Sequence, residues 1–314
     1  MSRLELTIKR FEARIEAGQF YEAHQTLRTI INRYVKAKQY DEATKILAHG
    51  AQLLAEKQQY PLSADLISYL IDVYSEEHRC DNKLKQMVID LVQQLPPTEP
   101  LLVDLSKQAI LWSQAEENLK YGDSKLHDVF GAKLAKALTE ASQLNADDDA
   151  KLFAVTELHL ILGSHESVSV YIDLLYRWGQ FTSNHDPGLF LSRAIINYGY
   201  LKNINFVTES SLKFINKFRE DYANGVDVSY ENIIIYECDT FPLINFAQLL
   251  AVTLRKSEDA STKFLGLYNH YKLSLQESDL LAPVEYLAKE YFGLQLGAPK
   301  QGNMMANLLG DFFK

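Results

Sequence analysis

Apolar side chains recur at steps of three and four along most of this chain, the period of one buried face on an α-helix. The clearest stripe is Phe20, Ala23, Leu27, Ile30 and Tyr34. Similar runs cover Tyr40 to Glu56, Asp81 to Leu95, Leu126 to Leu144, Ala150 to Leu162, Ser164 to Trp178, Asp186 to Leu201 and Val207 to Tyr222. They resume over Leu243 to Arg255, Ala260 to Tyr271 and Val284 to Tyr291. Breakers punctuate the pattern. Gln58-Gln59-Tyr60-Pro61 interrupts it, and Ser63 is placed to cap a helix carrying Leu66, Ile67, Leu70, Ile71 and Tyr74. Pro96-Pro97 ends one run, and Pro100 stands in the first turn of the next. An acidic break at 145–149 precedes Ala150.

The opening is self-similar. Residues 17–23 read Ala-Gly-Gln-Phe-Tyr-Glu-Ala and residues 37–43 read Ala-Lys-Gln-Tyr-Asp-Glu-Ala. The 20-residue offset is one helix plus a turn, the mark of stacked antiparallel helix pairs. Phe20 and Tyr40 open helices, Ala23 and Ala43 permit close approach, and Gly18 ends the first helix with positive φ. The expected fold class is all-α, a TPR-like α-solenoid. The expected halves are 1–145 and 146–314 of one continuous solenoid.

The period changes at 229–246. Ile233 to Glu237 is β-branched and aromatic, too short for a stable helix, and Pro242 limits any strand beyond it. A short strand or hairpin near 230–242 is expected. A two-stranded hairpin cannot stabilise itself in water, so its edges and faces need a cover. The stripe Met304, Met305, Leu308, Leu309, Phe312 and Phe313 has the same need. Folding back on the chain's own body and docking on a second protein both answer it.

Composition adds little until charge is divided. The chain has 314 residues and net charge −9. Residues 1–57 hold ten Lys/Arg against seven Asp/Glu, leaving −12 on the remainder. Ordinary scatter explains this, as does an acidic partner at the N-terminal end. No signal peptide or membrane-length apolar run is present. Cys80 and Cys238 match no metal or redox spacing and read as lone thiols in a reducing cytosol. There is no phosphate loop, Gly-x-Ser-x-Gly or His-Glu-x-x-His. Glu157 and His159 point to different helix faces, His165 follows a helix-capping Ser164, and residues 147–149 lack a calcium loop's alternation. An acidic chain also argues against nucleic-acid binding. The expectation is no enzyme, no cofactor and no metal.

One polar cluster stands out. Tyr21, His24 and Arg28 follow helical spacing beside the buried stripe, and Lys9, Arg10 and Arg14 lie on the preceding helix. They form either a cationic, aromatic docking patch or a solvated flank with a packed histidine.

The strings Lys9-Arg10-Phe11, Gly18 to Ile30, Asn32-Arg33-Tyr34, Ala64 to Leu70, Gly163 to Glu166, the 230–237 strand and Ala298-Pro299-Lys300-Gln301 resemble one family. It is the helical adaptor of the GET pathway, the guided entry of tail-anchored proteins. The resemblance implies a cytosolic, non-catalytic α-solenoid. Its N-terminal half would dock on the nucleotide-bound dimer of the targeting ATPase and restrain hydrolysis. Its C-terminal half would hold a ubiquitin-like-domain protein, which recruits a TPR co-chaperone carrying the client to be inserted in the ER membrane. Direct membrane insertion by the adaptor is not expected. On this sequence the resemblance gives Lys9, Arg10, Arg14, Tyr21, His24, Arg28 and Asp65 as ATPase-binding residues. It gives Ile234, Ile235, Tyr236 and Phe241 to the ubiquitin-like partner. The alternative is a TPR-like scaffold subunit of another cytosolic assembly.

Overall fold

The computed structural model describes residues 3–115, 119–140, 146–181, 186–230, 233–256 and 260–297. The expected dividing point at 145 and the stripe at 304–313 lie outside the described residues. The fold is all-α apart from one antiparallel hairpin: fourteen helices and one two-stranded sheet among the described residues. No helix among them is long and apolar enough to cross a membrane. The chain divides into two compact units, 1–164 and 165–314.

The first unit is built on a strict cadence. Helices α1 (Arg3–Glu16), α2 (Phe20–Lys36), α3 (Tyr40–Glu56) and α4 (Tyr60–Glu76) start on or near every twentieth residue. Each of the four ends on a residue with positive φ: Gly18 at 73°, Lys38 at 57°, Gln58 at 59° and His78 at 56°. The next amide reaches back six residues inclusive, as Gln19 N–H to Arg14 O at 3.0 Å and Gln59 N–H to Leu54 O at 2.8 Å. That is the Schellman closure, and it satisfies carbonyls that the helix leaves unpaired. Gln58 to Pro61 is therefore a third copy of the turn and not a longer break. Pro61 sits in the first turn of α4, where its missing N–H costs nothing. Ser63 is not a cap. It occupies the place of Ala23 and Ala43, is buried, and donates its hydroxyl to the Ala51 carbonyl at 2.8 Å.

The buried face of α2 is Ala23, Leu27, Ile31 and Val35, so the stripe turns inward one residue later than Ile30 and Tyr34. Side chains tie each helix to its second neighbour. His49 bonds Glu12 and Ser68 bonds Gln108, pairs 37 and 40 residues apart. The 20-residue sequence repeat thus becomes a two-helix structural repeat. The unit continues with α5 (Asn82–Gln93), α6 (Leu102–Ser113), α7 (Ser124–Glu140) and α8 (Ala146–Leu162). The acidic run at 147–149 lies inside the first turn of α8 and not ahead of it, where negative charge favours a helix N-terminus.

The second unit contains α9 (His165–Phe181), α10 (Gly188–Tyr200), α11 (Ile204–Asp221), β1 (Val226–Tyr230), β2 (Ile233–Glu237), α12 (Pro242–Leu254), α13 (Ser261–Glu277) and α14 (Leu281–Phe292). Its centre is α12, buried on nearly every side from Leu243 to Leu254. α10 packs against α12 so closely that a Cβ on Gly188 would stand 2.1 Å from Ile244 N. Asp186 serves both helix starts, accepting from Gly188 N–H and Leu243 N–H at 2.7 Å each. Burial pushes its carboxyl above the usual range despite those two donors.

Candidate docking sites

In the first unit the candidate residues sort onto different sides of α2. Asp65, in the second turn of α4, accepts from His24 Nε2–H at 2.7 Å and from Arg28 Nη1 at 2.5 Å. An ionised carboxylate only accepts, so His24 Nε2 carries the proton of this bond. The His24 hydrogen bond, then the Arg28 guanidinium, hold the Asp65 carboxyl below its usual range against the pull of burial. Arg28 also lies 5.1 Å from the centre of the Tyr69 ring, a cation–π stack. His24 is 4% exposed, with Nδ1 buried and unpartnered. Tyr21, one turn earlier on the same stripe, is 64% exposed. Arg14 bonds Thr26, about 160° round α2 from Arg28 at about 100° per residue. Lys9 and Arg10 are exposed on α1.

The structure thus joins His24, Arg28 and Asp65 into one internal polar cluster with Tyr21 projecting beside it. The Arg28 charge is matched there by Asp65, while Arg33 and Lys36 of α2 and Lys9, Arg10 and Arg14 of α1 add further positive charge to this end. The face continues across α4, where Gln108 of α6 donates to Asp72 at 2.6 Å and accepts from Ser68 at 2.8 Å.

The side chains weighed for catalysis are placed otherwise. His127 Nε2–H donates to the Tyr121 carbonyl at 2.8 Å, which makes its Nδ1 an acceptor for His159 Nδ1–H at 2.9 Å. His159 Nε2 then faces Ser106 Oγ at 3.0 Å. Both rings are fully buried, and burial lowers His127 to about 4 and His159 well below 6.5. Neutral, enclosed imidazoles of this kind join helices and offer no proton to a substrate. Glu157 is buried, and His165, in the second unit, is exposed and paired with Glu209 at 3.0 Å. Among the described residues no three His, Cys, Asp or Glu side chains could share a metal ion.

In the second unit β2 falls inside the expected window of 230–242, whereas its partner strand, Val226–Tyr230, lies ahead of it in sequence. Register pairs Val226 with Glu237, Val228 with Ile235 and Ser229 with Ile234. Directly opposite residues share a face, so Val226, Val228, Ile235 and Glu237 lie on one side and Ile234 and Tyr236 on the other. The outer edge of β2 is closed by side-chain amides of α12. Gln248 accepts from Tyr236 N–H and donates to Tyr236 O, both at 2.9 Å. Asn245 does the same for Cys238 at 2.9 and 3.0 Å. Two amides therefore stand in for a neighbouring strand.

Three of the four hairpin candidates are taken up by the chain itself. Ile235 is buried, Tyr236 donates to Tyr222 O at 2.5 Å beneath the Arg219 guanidinium, and Phe241 packs edge-on against Phe218 and Tyr222. Ile234 is 65% exposed. Val226 and Val228, which sequence reasoning missed, are 65% and 39% exposed. Their signal was the alternation Val-Asp-Val-Ser-Tyr directly after Asn224-Gly225.

A family model described as Golgi to ER traffic protein 4 matches residues 37–313. Golgi to ER traffic protein 4 of Aspergillus fumigatus is 29% identical, over 99% of this chain and 90% of its own length. The protein of the same name in Schizosaccharomyces pombe is 29% identical, over 99% and 96%. The crystal structure of C. therm. Get4 superimposes with a TM-score of 0.80 at 26% identity, covering 100% of this chain and 96% of that one.

Proposed function

This chain belongs to the Golgi to ER traffic protein 4 family, and from that premise we propose that it is a non-catalytic cytosolic adaptor with one partner on each unit. The first unit docks on the nucleotide-bound dimer of the tail-anchored-protein targeting ATPase. The second holds a ubiquitin-like-domain protein, through which a TPR co-chaperone delivers the client for ER insertion. The observation that carries this reading is the hairpin. It exposes Val226, Val228 and Ile234 while α12 holds its other edge with four side-chain hydrogen bonds. Exposed apolar side chains on a braced element suit a rigid partner contact.

For the ATPase contact, Tyr21 supplies an exposed aromatic anchor, and Lys9, Arg10 and Arg14 supply net positive charge. His24 and Asp65 act by fixing Arg28 over Tyr69. Such a contact weakens with salt, whereas the hairpin contact does not.

The test is calorimetry with the ATPase, with and without a non-hydrolysable ATP analogue, at two salt concentrations. Nucleotide-dependent, salt-sensitive binding is expected. Arg28→Glu should lower that affinity about tenfold or more, as expected for a charge reversed at an interface, and leave the ubiquitin-like partner bound. Ile234→Asp should do the converse. Loss of both contacts in either variant would indicate misfolding. Equal binding with and without nucleotide would favour a TPR-like scaffold of another assembly.

A further inference from the structure

The chain has a single Asn-Gly step, Asn224-Gly225, and it stands immediately ahead of β1. We propose that Asn224 is a site of spontaneous deamidation, and that the Tyr236 hydroxyl controls the reaction by holding the Gly225 N–H.

Asparagine side chains are chemically labile, and a following glycine leaves the attacking nitrogen unshielded and its backbone free to turn. The Gly225 nitrogen loses its proton to base and attacks Asn224 Cγ. The N–Cγ bond forms, the Cγ–Nδ2 bond breaks, and ammonia leaves with a proton from solvent. Water then opens the succinimide ring. Cleavage of the new N–Cγ bond gives aspartate. Cleavage between the Gly225 nitrogen and the main-chain carbonyl carbon of residue 224 gives isoaspartate. Water is consumed, ammonia is released and the base is recovered.

Packing both creates this labile pair and restrains it. Asn224 is exposed in the turn. Glycine is required after it, because a Cβ on Gly225 would stand 2.5 Å from Tyr236 Cζ and 2.7 Å from Glu237 O. The same close approach lets the Gly225 N–H donate to the Tyr236 hydroxyl at 2.9 Å, while that hydroxyl donates to the Tyr222 carbonyl at 2.5 Å. With its own proton committed to Tyr222, the phenol oxygen offers Gly225 only lone pairs, and the amide stays protonated. Tyr236 is itself held in place. Its ring meets Phe218 edge-on and lies 4.8 Å from the Arg219 guanidinium, and Gln248 binds its backbone N–H and C=O. The Gly225 nitrogen reacts only when this clasp opens, so the folded chain reacts at the intrinsic rate reduced by the opening equilibrium.

The product alters the hairpin at its base. Isoaspartate carries the main chain through the side chain, adds one backbone carbon ahead of Gly225, and draws Gly225 away from Tyr236. Either product adds a carboxylate three residues before Asp227, the ion-pair partner of Arg219. On the hairpin reading above, the exposed Val226 and Val228 then lose their fixed placement, and affinity for the ubiquitin-like partner falls as the protein ages.

The full chain is incubated in mildly alkaline buffer, folded and in guanidinium chloride, beside a folded Tyr236→Phe variant, and the peptide containing residue 224 is followed by mass spectrometry. Deamidation at Asn224 should be slower in the folded chain by about fivefold or more, the factor that one hydrogen bond of ordinary net strength imposes on an opening. Tyr236→Phe keeps the ring and should recover most of that factor, its cooperative urea transition verifying that it is folded. Equal rates in the folded and denatured chain overturn the protection. A Tyr236→Phe rate equal to that of the unaltered chain overturns Tyr236 as its source. Faster reaction at another asparagine of the denatured chain overturns the assignment of the site. The aged chain is then titrated with the ubiquitin-like partner, beside Asn224→Gln incubated in parallel. Affinity lost in the first and kept in the second is expected. Unchanged affinity in a chain shown to be deamidated supports the modification site and overturns the hairpin reading.

Discussion

His127 and His159 show how a single buried contact sets a response to pH. The folded pKa of His127 is about 4 against 6.5 when unfolded, so the unfolded chain binds the extra proton first as pH falls. Its contribution is complete above pH 6.5 and is lost between 6.5 and 4, at about 1.4 kcal/mol per pH unit. His159 acts in the same direction. Urea unfolding at pH 7 and pH 5 should show that loss, and His127→Gln should flatten it. A slope unaltered by the substitution would remove the pair as its source. Gly188 is the other residue with little latitude, because a methyl group there meets backbone atoms of Leu243 and Ile244 at 2.1 Å. Backbone cannot turn aside as a side chain can, so Gly188→Ala should cost about 3 kcal/mol, read from the denaturation midpoint. Neither property was visible in sequence. Gly188 follows a proline like many loop glycines, and His24 shows the same limit. It sits at exposed-stripe spacing and is nonetheless buried, because the inward face of α2 is centred between Ala23 and Leu27.

Among elements, the repeating turn was half legible. Gly18 announced positive φ, but Lys38, Gln58 and His78 adopt it with no glycine to signal it. The hydrogen-bonded closure and the buried residues on either side impose the conformation, and each non-glycine position bears about 1–2 kcal/mol of left-handed strain. Relief by glycine is offset by about 0.4–1 kcal/mol of unfolded-chain entropy. Lys38→Gly should therefore stabilise by about 0.5 kcal/mol and Lys38→Val should destabilise, both read by urea midpoint. The third copy of the turn went unread because Tyr60-Pro61 resembles a breaker and Ser63 a cap, whereas in three dimensions they continue Phe20/Tyr40 and Ala23/Ala43. The hairpin was legible in β2 and missed in β1, whose short alternation carries a charged Asp227 satisfied by Arg219 across space. Gln248→Leu would leave the buried Tyr236 N–H without a partner and should cost about 1–3 kcal/mol, with hairpin amide exchange rising ahead of the rest of the second unit.

At the scale of the molecule, each compact unit has its own buried core, from Leu27, Leu47 and Leu66 in the first to Phe214, Ile244 and Leu250 in the second. Separate chains of 1–164 and 165–314 should each fold, the first retaining ATPase binding and the second the hairpin partner. Failure of either to give a cooperative melt would show that the units need one another. The two also differ in how far along the chain their ties reach. In α1 to α6 of the first unit, side chains on second-neighbour helices pair at 36 to 41 residues, one repeat apart. In the second unit Leu243 returns to Asp186 across 57 residues and Tyr291 to Gly199 across 92. A ribosome delivers the chain from its N-terminus, so each new helix pair of the first unit finds its partner already waiting outside the exit tunnel. α10 must instead wait for α14, some ninety residues of synthesis later at about 5–20 residues per second. During those seconds the apolar α12 and its neighbours are born without their cover. Nascent-chain protease protection should therefore rise stepwise through the first unit and only at the end of the second, which marks the C-terminal unit as the stretch where an emerging chain depends on chaperones.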